Sequence, residues 1–280
     1  MDELMGNSML EDLKIYANKI RKLAVKEIYE AQSGHVGGAF SIADILAVLY
    51  FSEMRIDPKN PTWDERDRFV LSKGHASAAL YATLALKGYF PEKDLMGFRK
   101  IDSYLEGHPC MKVPGVDINS GSLGQGLSIA NGMALAAKMD KKNYRVFSIV
   151  GDGECNEGQI WEAAQTAAHH KLDNLCLFVD ANGFQLDART SDVKLTNPLD
   201  EKFEKFGWNV ININGNDIEQ VLYAFEVFNI TTNKPTAVIC KTVKGSGSEL
   251  TEGKAEWHGK APNEEEFNKI MEDLEVVRLW

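Results

Sequence analysis

Glycine and acidic residues are concentrated in the segment GDGECNEG at residues 151–158, directly after the apolar run RVFSIV. Glycines allow the backbone to approach a ligand closely, and a helix that begins here would present free N–H groups to an anion. Asp152 lies between two of these glycines, and its charge would repel a phosphate unless a divalent cation lay between them. The segment therefore indicates a metal-bridged phosphate site or, on a plainer interpretation, a turn in which Asp152 caps the helix.

A second polar residue, Asn182, follows the next apolar run, NLCLFVD, and lies 30 residues after Asp152. The carboxylate, the asparagine carbonyl and a main-chain carbonyl from the intervening loop would supply three oxygens to Mg²⁺, with phosphate and water completing an octahedron. Asn182-Gly183 by itself is also typical of a tight turn. The two motifs together, each after a strand, are far more specific than either alone.

Four of the six histidines stand beside glycine in segments typical of loops: His35, His75, His108 and His258. The pair His169-His170 lies on a predicted helix surface, and we assign it a structural role. Imidazole can donate to a developing alkoxide or transfer protons near neutral pH, and a site that polarises a carbonyl needs several such donors. The loop histidines therefore predict a site for carbonyl chemistry.

A regular alternation of strands and helices must position these residues. Apolar runs predict strands at residues 69–72, 145–150, 174–180, 208–214 and 236–243. Helices are predicted at residues 11–31, 41–51, 76–88, 127–139, 160–170, 198–207, 217–229 and 264–277, with Ser41 as an N-cap and Gly88 as a terminator. The tail after Lys244 is expected to be polar and irregular as far as the last helix.

Near-continuous apolar strands between helices indicate a doubly wound, mostly parallel α/β sheet with helices on both faces. No linker or repeat divides the pattern, so we expect one domain over residues 1–280. Ligands of such sheets bind at the carboxyl ends of the strands, which is where the motifs above fall.

Composition excludes several classes of protein. A net charge of −10, 44% hydrophobic and 26% charged residues are ordinary for a globular chain and exclude disorder, collagen and coiled coil. The absence of a Lys/Arg cluster argues against nucleic acid or an anionic membrane as partner. The start resembles no secretory signal, and the apolar stretch at 42–51 is too short to span a bilayer. Four widely spaced cysteines without a CxxC pair favour reduced thiols, so we expect a cytoplasmic protein.

The GDG motif followed by Asn182 is similar to the thiamine diphosphate motif, and this copy resembles that of the transketolase family. Further segments agree with the family in order and spacing: SGHVGGAFS at 33–41, LSKGHASAALY at 71–81, EGHP at 106–109, GSLGQG at 121–126, and KTVKGSG with EWHGKAP within 241–262. The resemblance extends from about residue 12 to residue 262. It implies the diphosphate-binding domain of a thiamine diphosphate enzyme.

Carried over residue by residue, the resemblance implies a Mg²⁺ site, open to Ca²⁺ or Mn²⁺ as substitutes, formed by Asp152, Asn182 and the main-chain carbonyl of Phe184. It implies cofactor contacts from His75, Gly121, Ser122, Leu123, Gly153, Asn182 and His258. The implied catalytic residues are His35, His108 and His258, which face the ketose donor, and Glu157, which relays protons between two sites of a dimer. Glu157 is also typical of a carboxylate at a helix N-terminus.

Two departures from the family pattern matter. Ser122 stands where many transketolases have proline, which frees one φ angle of the turn. The resemblance also covers only the first portion of full transketolases, without the pyrimidine-binding and C-terminal domains and the glutamate that activates the aminopyrimidine. It therefore implies the N-terminal subunit of a split transketolase, which pairs with a separate C-terminal subunit in a heterotetramer. The implied reaction moves a two-carbon ketol unit from a ketose phosphate to an aldose phosphate, as in the pentose phosphate pathway.

Two alternatives stay open. A deoxyxylulose-phosphate synthase-like or ketoacid dehydrogenase-like subunit would share GDG and the asparagine, but not LSKGH, EGHP and EWHG as a set. A non-catalytic module that binds the cofactor is the other alternative, which the complete set of histidines and metal ligands disfavours. A dinucleotide-binding fold is weaker still, because no GxGxxG joins an early strand to a helix.

Overall fold

A five-stranded parallel sheet forms the centre of the structure, a computed structural model that describes residues 2–275, with side chains from residue 8 onward. The sheet strands are β1 (Arg68–Leu71), β2 (Val146–Gly151), β3 (Leu175–Ala181), β6 (Asn209–Asn214) and β7 (Thr236–Lys241). Their order is β1-β2-β3-β7-β6, and every adjacent pair is parallel. Two-residue strands β4 (Phe184–Gln185) and β5 (Ala188–Arg189) form a separate antiparallel hairpin after β3.

Helices cover both faces of the sheet. They are α1 (Asp2–Ala31), α2 (Val36–Phe40), α3 (Ala43–Val48), α4 (Ser77–Lys87), α5 (Gln125–Met139), α6 (Gly158–His169), α7 (Thr190–Val193), α8 (Leu199–Lys205), α9 (Ile218–Ile230) and α10 (Glu264–Glu275). The doubly wound α/β fold predicted from the strand and helix pattern is therefore confirmed. The last two residues predicted for the final helix, 276 and 277, lie outside the described residues.

Alternate residues of each strand divide the core into two layers. Phe147 and Ile149 of β2 pack with α1, α3, α4 and α9, whereas Val146 and Val150 pack with α5, α6 and α8. Each fully buried aliphatic or aromatic side chain contributes about 1.5–3 kcal/mol through loss of contact with water. Because both faces are buried, the strands have almost continuous apolar sequences, which is why the sequence predicts them well.

One prediction about local structure was wrong. Ser41 does not cap a helix from 41 to 51; α2 ends just before it, α3 follows, and a single π-helical turn covers Leu49–Glu53. The Ser41 hydroxyl instead donates to the Gly38 carbonyl at 3.2 Å and to Asp180 at 2.8 Å. The tail after Lys244 is irregular as far as the last helix, as expected, and Ser248 and Trp257 are fully buried within it.

Other local predictions are confirmed. Gly88 ends α4 in the left-handed region, with φ of 93°, and its N–H reaches the carbonyls of Leu84 and Ala85. All four cysteines are free and buried. Across residues 2–275, no helix has the length and apolar character needed to cross a membrane.

Candidate active site

Three histidine rings meet at the carboxyl end of the sheet. His35 immediately precedes α2, His75 lies in a 3-10 turn after β1, and His258 lies in a 3-10 turn after β7. Their ring centroids are 5.1 Å apart for His35 and His75, 5.2 Å for His75 and His258, and 5.4 Å for His35 and His258. The parallel sheet thus brings together three of the four glycine-flanked histidines.

Burial and neighbouring positive charges keep these rings neutral. Burial, followed by the charges of His258 and Arg99, lowers the pKa of His35 to about 4. Burial and the Lys244 charge lower the pKa of His258 to about 4, and burial holds the pKa of His75 well below its ordinary value. A neutral imidazole has one donor and one acceptor, so at neutral pH these rings can hydrogen-bond both carbonyl and hydroxyl groups.

Two buried lysines lie next to the histidine rings. Lys244 Nζ is 3.0 Å from His258 Nδ1, and burial, with the charge of Lys73, lowers the pKa of Lys244 to about 8. Lys244 therefore stays mostly protonated at neutral pH. Lys73 Nζ donates to the Gly38 carbonyl at 2.9 Å and forms an ion pair with Asp180 at 2.5 Å. Lys244 supplies positive charge that suits a phosphate-bearing ligand.

Asp180, near the end of β3, is fully buried and organises its neighbours. Its carboxylate accepts hydrogen bonds from Lys73 at 2.5 Å, Ser41 at 2.8 Å, Asn182 Nδ2 at 2.9 Å and Thr242. Burial opposes ionisation, but Lys73 and the hydroxyl donors hold the pKa of Asp180 below its ordinary value. Because the Asn182 amide nitrogen is directed at Asp180, its carbonyl oxygen is directed at the following loop, where it accepts from the Phe184 N–H at 3.0 Å.

Asp152 joins the loops that follow β2 and β3. Its Oδ1 accepts from the Gly153 N–H at 2.8 Å and its Oδ2 from the Gly183 N–H at 2.7 Å. Burial and the neighbouring charge of Asp180 raise the pKa of Asp152 to about 6. Because burial and the Asp180 charge disfavour the ionised form of Asp152, a cation bound beside it would stabilise that form. Asp152 thus caps the turn that follows β2, and the same carboxylate connects this turn to the loop after β3.

A cavity of about 220 Å³ opens over these groups. Its lining includes the predicted ligand and cofactor residues His75, Leu123, Asp152, Gly153, Asn182, Phe184 and His258, together with Lys73, Glu154 and Lys244. Glu157 also lines the cavity, is exposed in this chain, and makes no capping hydrogen bond to α6. One concave site therefore brings carboxylate and amide oxygens together with cationic and imidazole groups.

The glycine-rich turn beside the cavity is held by a buried carboxylate. Glu154 accepts from the Gly124 N–H at 2.9 Å, from the Gly151 N–H at 3.0 Å and from the Ser72 hydroxyl. Burial raises the pKa of Glu154. These bonds connect the turn that contains Gly121, Ser122 and Leu123 to the end of β2, although Ser122 itself is exposed.

His108 lies outside the three-ring cluster. Its ring covers Gly121, where an added Cβ would lie 2.9 Å from His108 Cδ2. Gly121 has a φ of 141°, in the region that favours glycine. The His108 main-chain carbonyl accepts from the Tyr81 hydroxyl at 2.7 Å, and burial together with Arg99 lowers the pKa of His108. The two loops that carry His108 and Gly121 are therefore in contact.

Sequence reasoning missed four buried charged residues of this site: Lys73, Glu154, Asp180 and Lys244. Lys73, Glu154 and Lys244 occur inside the motifs LSKGH, GDGEC and KTVKGSG, so their positions carried a signal. Asp180 ends the apolar run NLCLFVD, and a charged residue at the carboxyl end of a buried strand was a further signal.

Comparison with known proteins gives one consistent result. The family model described as transketolase, thiamine diphosphate binding domain, matches residues 13–276. The 6-deoxy-6-sulfo-D-fructose transketolase subunit SqwG of Clostridium sp. (strain MSTE9) is 45% identical over 265 residues, which cover 94% of this chain and 96% of that protein. One of the subunits of the apulose-4-phosphate transketolase of Phocaeicola vulgatus is 40% identical, with 95% of this chain and 94% of that protein covered.

Solved structures agree with the sequence relatives. The crystal structure of transketolase from Campylobacter jejuni superposes with a TM-score of 0.89 at 36% identity, covering 94% of this chain. The match takes in 42% of that chain, so the present chain spans about two fifths of the solved transketolase. The chain therefore belongs to the transketolase family, as its thiamine diphosphate-binding domain.

Proposed function

We propose that the chain is the N-terminal subunit of a two-subunit transketolase, which transfers a two-carbon ketol unit from a ketose phosphate to an aldose phosphate. The observation that carries this proposal is the cluster of neutral His35, His75 and His258 rings, of which His75 and His258 line the cavity. Neutral imidazoles suit the carbonyl and hydroxyl groups of a ketose, since each ring can both donate and accept.

The residues present fit thiamine diphosphate and a divalent cation. Asp152 offers a carboxylate that burial destabilises, and Asn182 and the Phe184 carbonyl would add neutral oxygens, the ligand types that Mg²⁺ prefers. Lys244 and His75, with the Gly153 backbone, would hold the diphosphate. We propose Mg²⁺ as the cation, with Ca²⁺ or Mn²⁺ as substitutes. When bound, thiamine diphosphate supplies the electron sink for carbon–carbon bond cleavage.

The chain's own residues would orient the sugar and move protons. His35, His108 and His258 would hydrogen-bond the carbonyl and C1 hydroxyl of the ketose donor, and Gly121, Ser122 and Leu123 would contact the cofactor beside them. Glu157 lines the cavity and is exposed, which leaves its carboxylate accessible to a second subunit. We propose that it relays protons across that interface.

A separate C-terminal subunit would complete the site, in a heterotetramer. Two observations support this proposal. Relatives named as transketolase subunits match this chain almost end to end, whereas solved transketolases extend well beyond the match. Leu123 and Leu186, which line the cavity, are 39% and 57% exposed. Exposed apolar side chains at a polar site are typical of a surface that another chain covers.

The substrates are proposed as sugar phosphates of the kind exchanged in the pentose phosphate pathway. The names of the relatives specify a 6-deoxy-6-sulfo-D-fructose and an apulose-4-phosphate, so the anionic group of the named sugar differs between these two enzymes. Four free, buried cysteines support a reducing compartment, and we propose the cytoplasm.

Reconstitution with the Asp152→Ala variant tests the metal and function assignments together. The wild-type chain, the C-terminal subunit, thiamine diphosphate and Mg²⁺ should give ketol transfer that Asp152→Ala abolishes. Asp140→Ala, at an exposed position after α5, is the matched control and should retain the wild-type rate. Full activity of Asp152→Ala would overturn the metal assignment, and release of carbon dioxide from pyruvate in place of transfer would favour a synthase-like or dehydrogenase-like subunit.

A further inference from the structure

Arg99 lies between two of the histidine-bearing loops in an uncommon backbone conformation. Its φ is 56°, in the left-handed region that non-glycine residues rarely occupy. The main-chain N–H donates to the Leu105 carbonyl at 2.9 Å, and the guanidinium carbon lies 5.4 Å from the centre of the Phe98 ring. These contacts hold the arginine in one place, and strained backbone of this kind is frequent where a side chain must be aimed.

The Arg99 guanidinium spans the two loops. Its Nη1 donates to the Ser33 hydroxyl at 3.0 Å, two residues before His35, and its Nη2 donates to the Gly107 carbonyl at 3.4 Å, one residue before His108. The guanidinium packs directly on Gly107, where an added Cβ would lie 2.8 Å from the guanidinium carbon and would displace it. The planar guanidinium can donate to two separate acceptors in this way because its N–H groups point in fixed directions, whereas a lysine ammonium is a single point of donation.

The positive charge of the Arg99 guanidinium lowers the pKa of both His35 and His108. After burial, the groups that lower the pKa of His35 are His258, Arg99, His108 and Lys73, and the His75 ring is also adjacent. After burial, the group that lowers the pKa of His108 is Arg99. Helix α4 contributes Tyr81, whose hydroxyl donates to the His108 carbonyl, and the nearby Glu106 is paired with Lys112 at 3.0 Å. His258, by contrast, is influenced by Lys244 and Lys73.

We propose that Arg99 is a positioning residue, which fixes the His35 and His108 loops relative to each other and places a permanent positive charge beside both imidazoles. Its effect on turnover rests on the proposed function, but its effect on the two rings does not. A ring that stays neutral offers the substrate one donor and one acceptor in a fixed orientation. A ring that becomes protonated offers donors alone, and its pairing with a sugar hydroxyl or carbonyl changes.

Histidine titration in the full chain tests the electrostatic part without any activity assay. Imidazole signals of the chain carrying labelled histidine are followed by NMR from pH 3 to pH 8, for wild type, Arg99→Gln, Arg99→Lys and the neighbouring control Lys100→Gln. In Arg99→Gln the pKa values of His35 and His108 should rise by about 0.5–1 unit, since one nearby charge is lost. His258 should not move, and Arg99→Lys and Lys100→Gln should leave all three near wild type. Unchanged His35 and His108 in folded Arg99→Gln would overturn the proposal.

Kinetics of the assembled enzyme test the geometric part. Arg99→Lys keeps the charge but loses the bridge, so the KM for the ketose donor should rise about tenfold while the thiamine diphosphate Kd stays the same. Ser33→Ala removes the hydroxyl that accepts from Arg99 and should give a smaller increase in the donor KM. This variant keeps the arginine, so it tests the bridge even if Arg99→Gln does not fold. Equal donor KM values in wild type and Arg99→Lys would overturn the bridging role. Absence of ketol transfer in the wild-type complex would instead refute the proposed function and leave the titration result standing.

Discussion

Replacement of Asp180 by asparagine should destabilise the chain and disorder Asn182, one of the proposed cation ligands, at the same time. Asp180 is fully buried, and its partner Lys73 is 2% exposed, with 2.5 Å between Nζ and Oδ2. Asparagine keeps the size of the side chain and one acceptor oxygen but removes the charge. The Lys73 ammonium would then remain in a nearly dry environment without its counter-ion, and the Asn182 amide would lose the carboxylate that orients it.

The expected cost follows from the burial of this pair. Loss of one partner of a buried ion pair typically costs about 3–5 kcal/mol, because the other charge stays buried and uncompensated. Asp180→Asn should therefore lower the free energy of unfolding by about 3 kcal/mol or more, a large part of the roughly 5–15 kcal/mol available to a domain. Since the pKa of Asp180 is lowered in the folded chain, its ionisation stabilises the fold above the ordinary aspartate pKa and this contribution is lost as the pH falls.

A double-mutant cycle measured by urea unfolding at pH 7 separates the pair from its surroundings. Lys73→Met with Asp180→Asn removes both charges of the pair. The loss in free energy of unfolding for the double variant should therefore be smaller than the sum of the two single losses by at least about 1 kcal/mol. Asp140→Asn, at an exposed site, should stay within about 0.5 kcal/mol of wild type. A cost below about 1 kcal/mol for Asp180→Asn, or simple additivity in the double variant, would refute the reasoning.

Two further substitutions test buried groups away from this pair. Glu27 is fully buried, neither carboxylate oxygen has a hydrogen-bond partner within the described part of the chain, and burial raises its pKa well above the ordinary value. The folded chain thus keeps a proton on Glu27 that the unfolded chain releases above about pH 4.3, so the stability of the wild-type chain falls as the pH rises. Because glutamine carries no such proton, Glu27→Gln should raise the melting temperature more at pH 8 than at pH 5. An equal effect at both pH values would contradict this. Lys244→Met should weaken thiamine diphosphate binding at least about tenfold in calorimetry and raise the pKa of His258 above 4, because it removes the cation 3.0 Å from that ring. The exposed Lys241→Met is the control, and an unchanged Kd for Lys244→Met would remove that lysine from the site.

Most of the fold could be predicted from the sequence because its strands are buried on both faces. Runs such as RVFSIV and NLCLFVD differ from the observed strands β2 and β3 by a residue at each end. The error at Ser41 has a clear physical cause. Serine is a frequent N-cap, but here its hydroxyl is used by Asp180, a residue 139 positions away, and local preference gives way to a buried hydrogen bond.

The site was predicted in part, because its ligands and histidines adjoin glycines in recognisable turns. The sequence could not show which buried charged and polar side chains pair with each other below the cavity. Lys73 and Asp180 are 107 residues apart, and their ion pair exists only once the carboxyl ends of β1 and β3 lie at the same edge of the sheet. The burial of Trp257 could not be predicted for a similar reason, since it depends on packing of the tail, in which the indole N–H donates to the Leu250 carbonyl at 3.0 Å.

The most direct test of a divided ketol-transfer enzyme is the rate of two-carbon transfer from a ketose phosphate to an aldose phosphate, with thiamine diphosphate and Mg²⁺. The chain is purified mildly from its native cells, and the rate is measured for the chain alone and with the protein that co-purifies with it in near-equal amount. We expect little transfer by the chain alone and rapid transfer by the pair. Rapid transfer by the chain alone would contradict the need for a partner, and no transfer by the pair would contradict the proposed reaction.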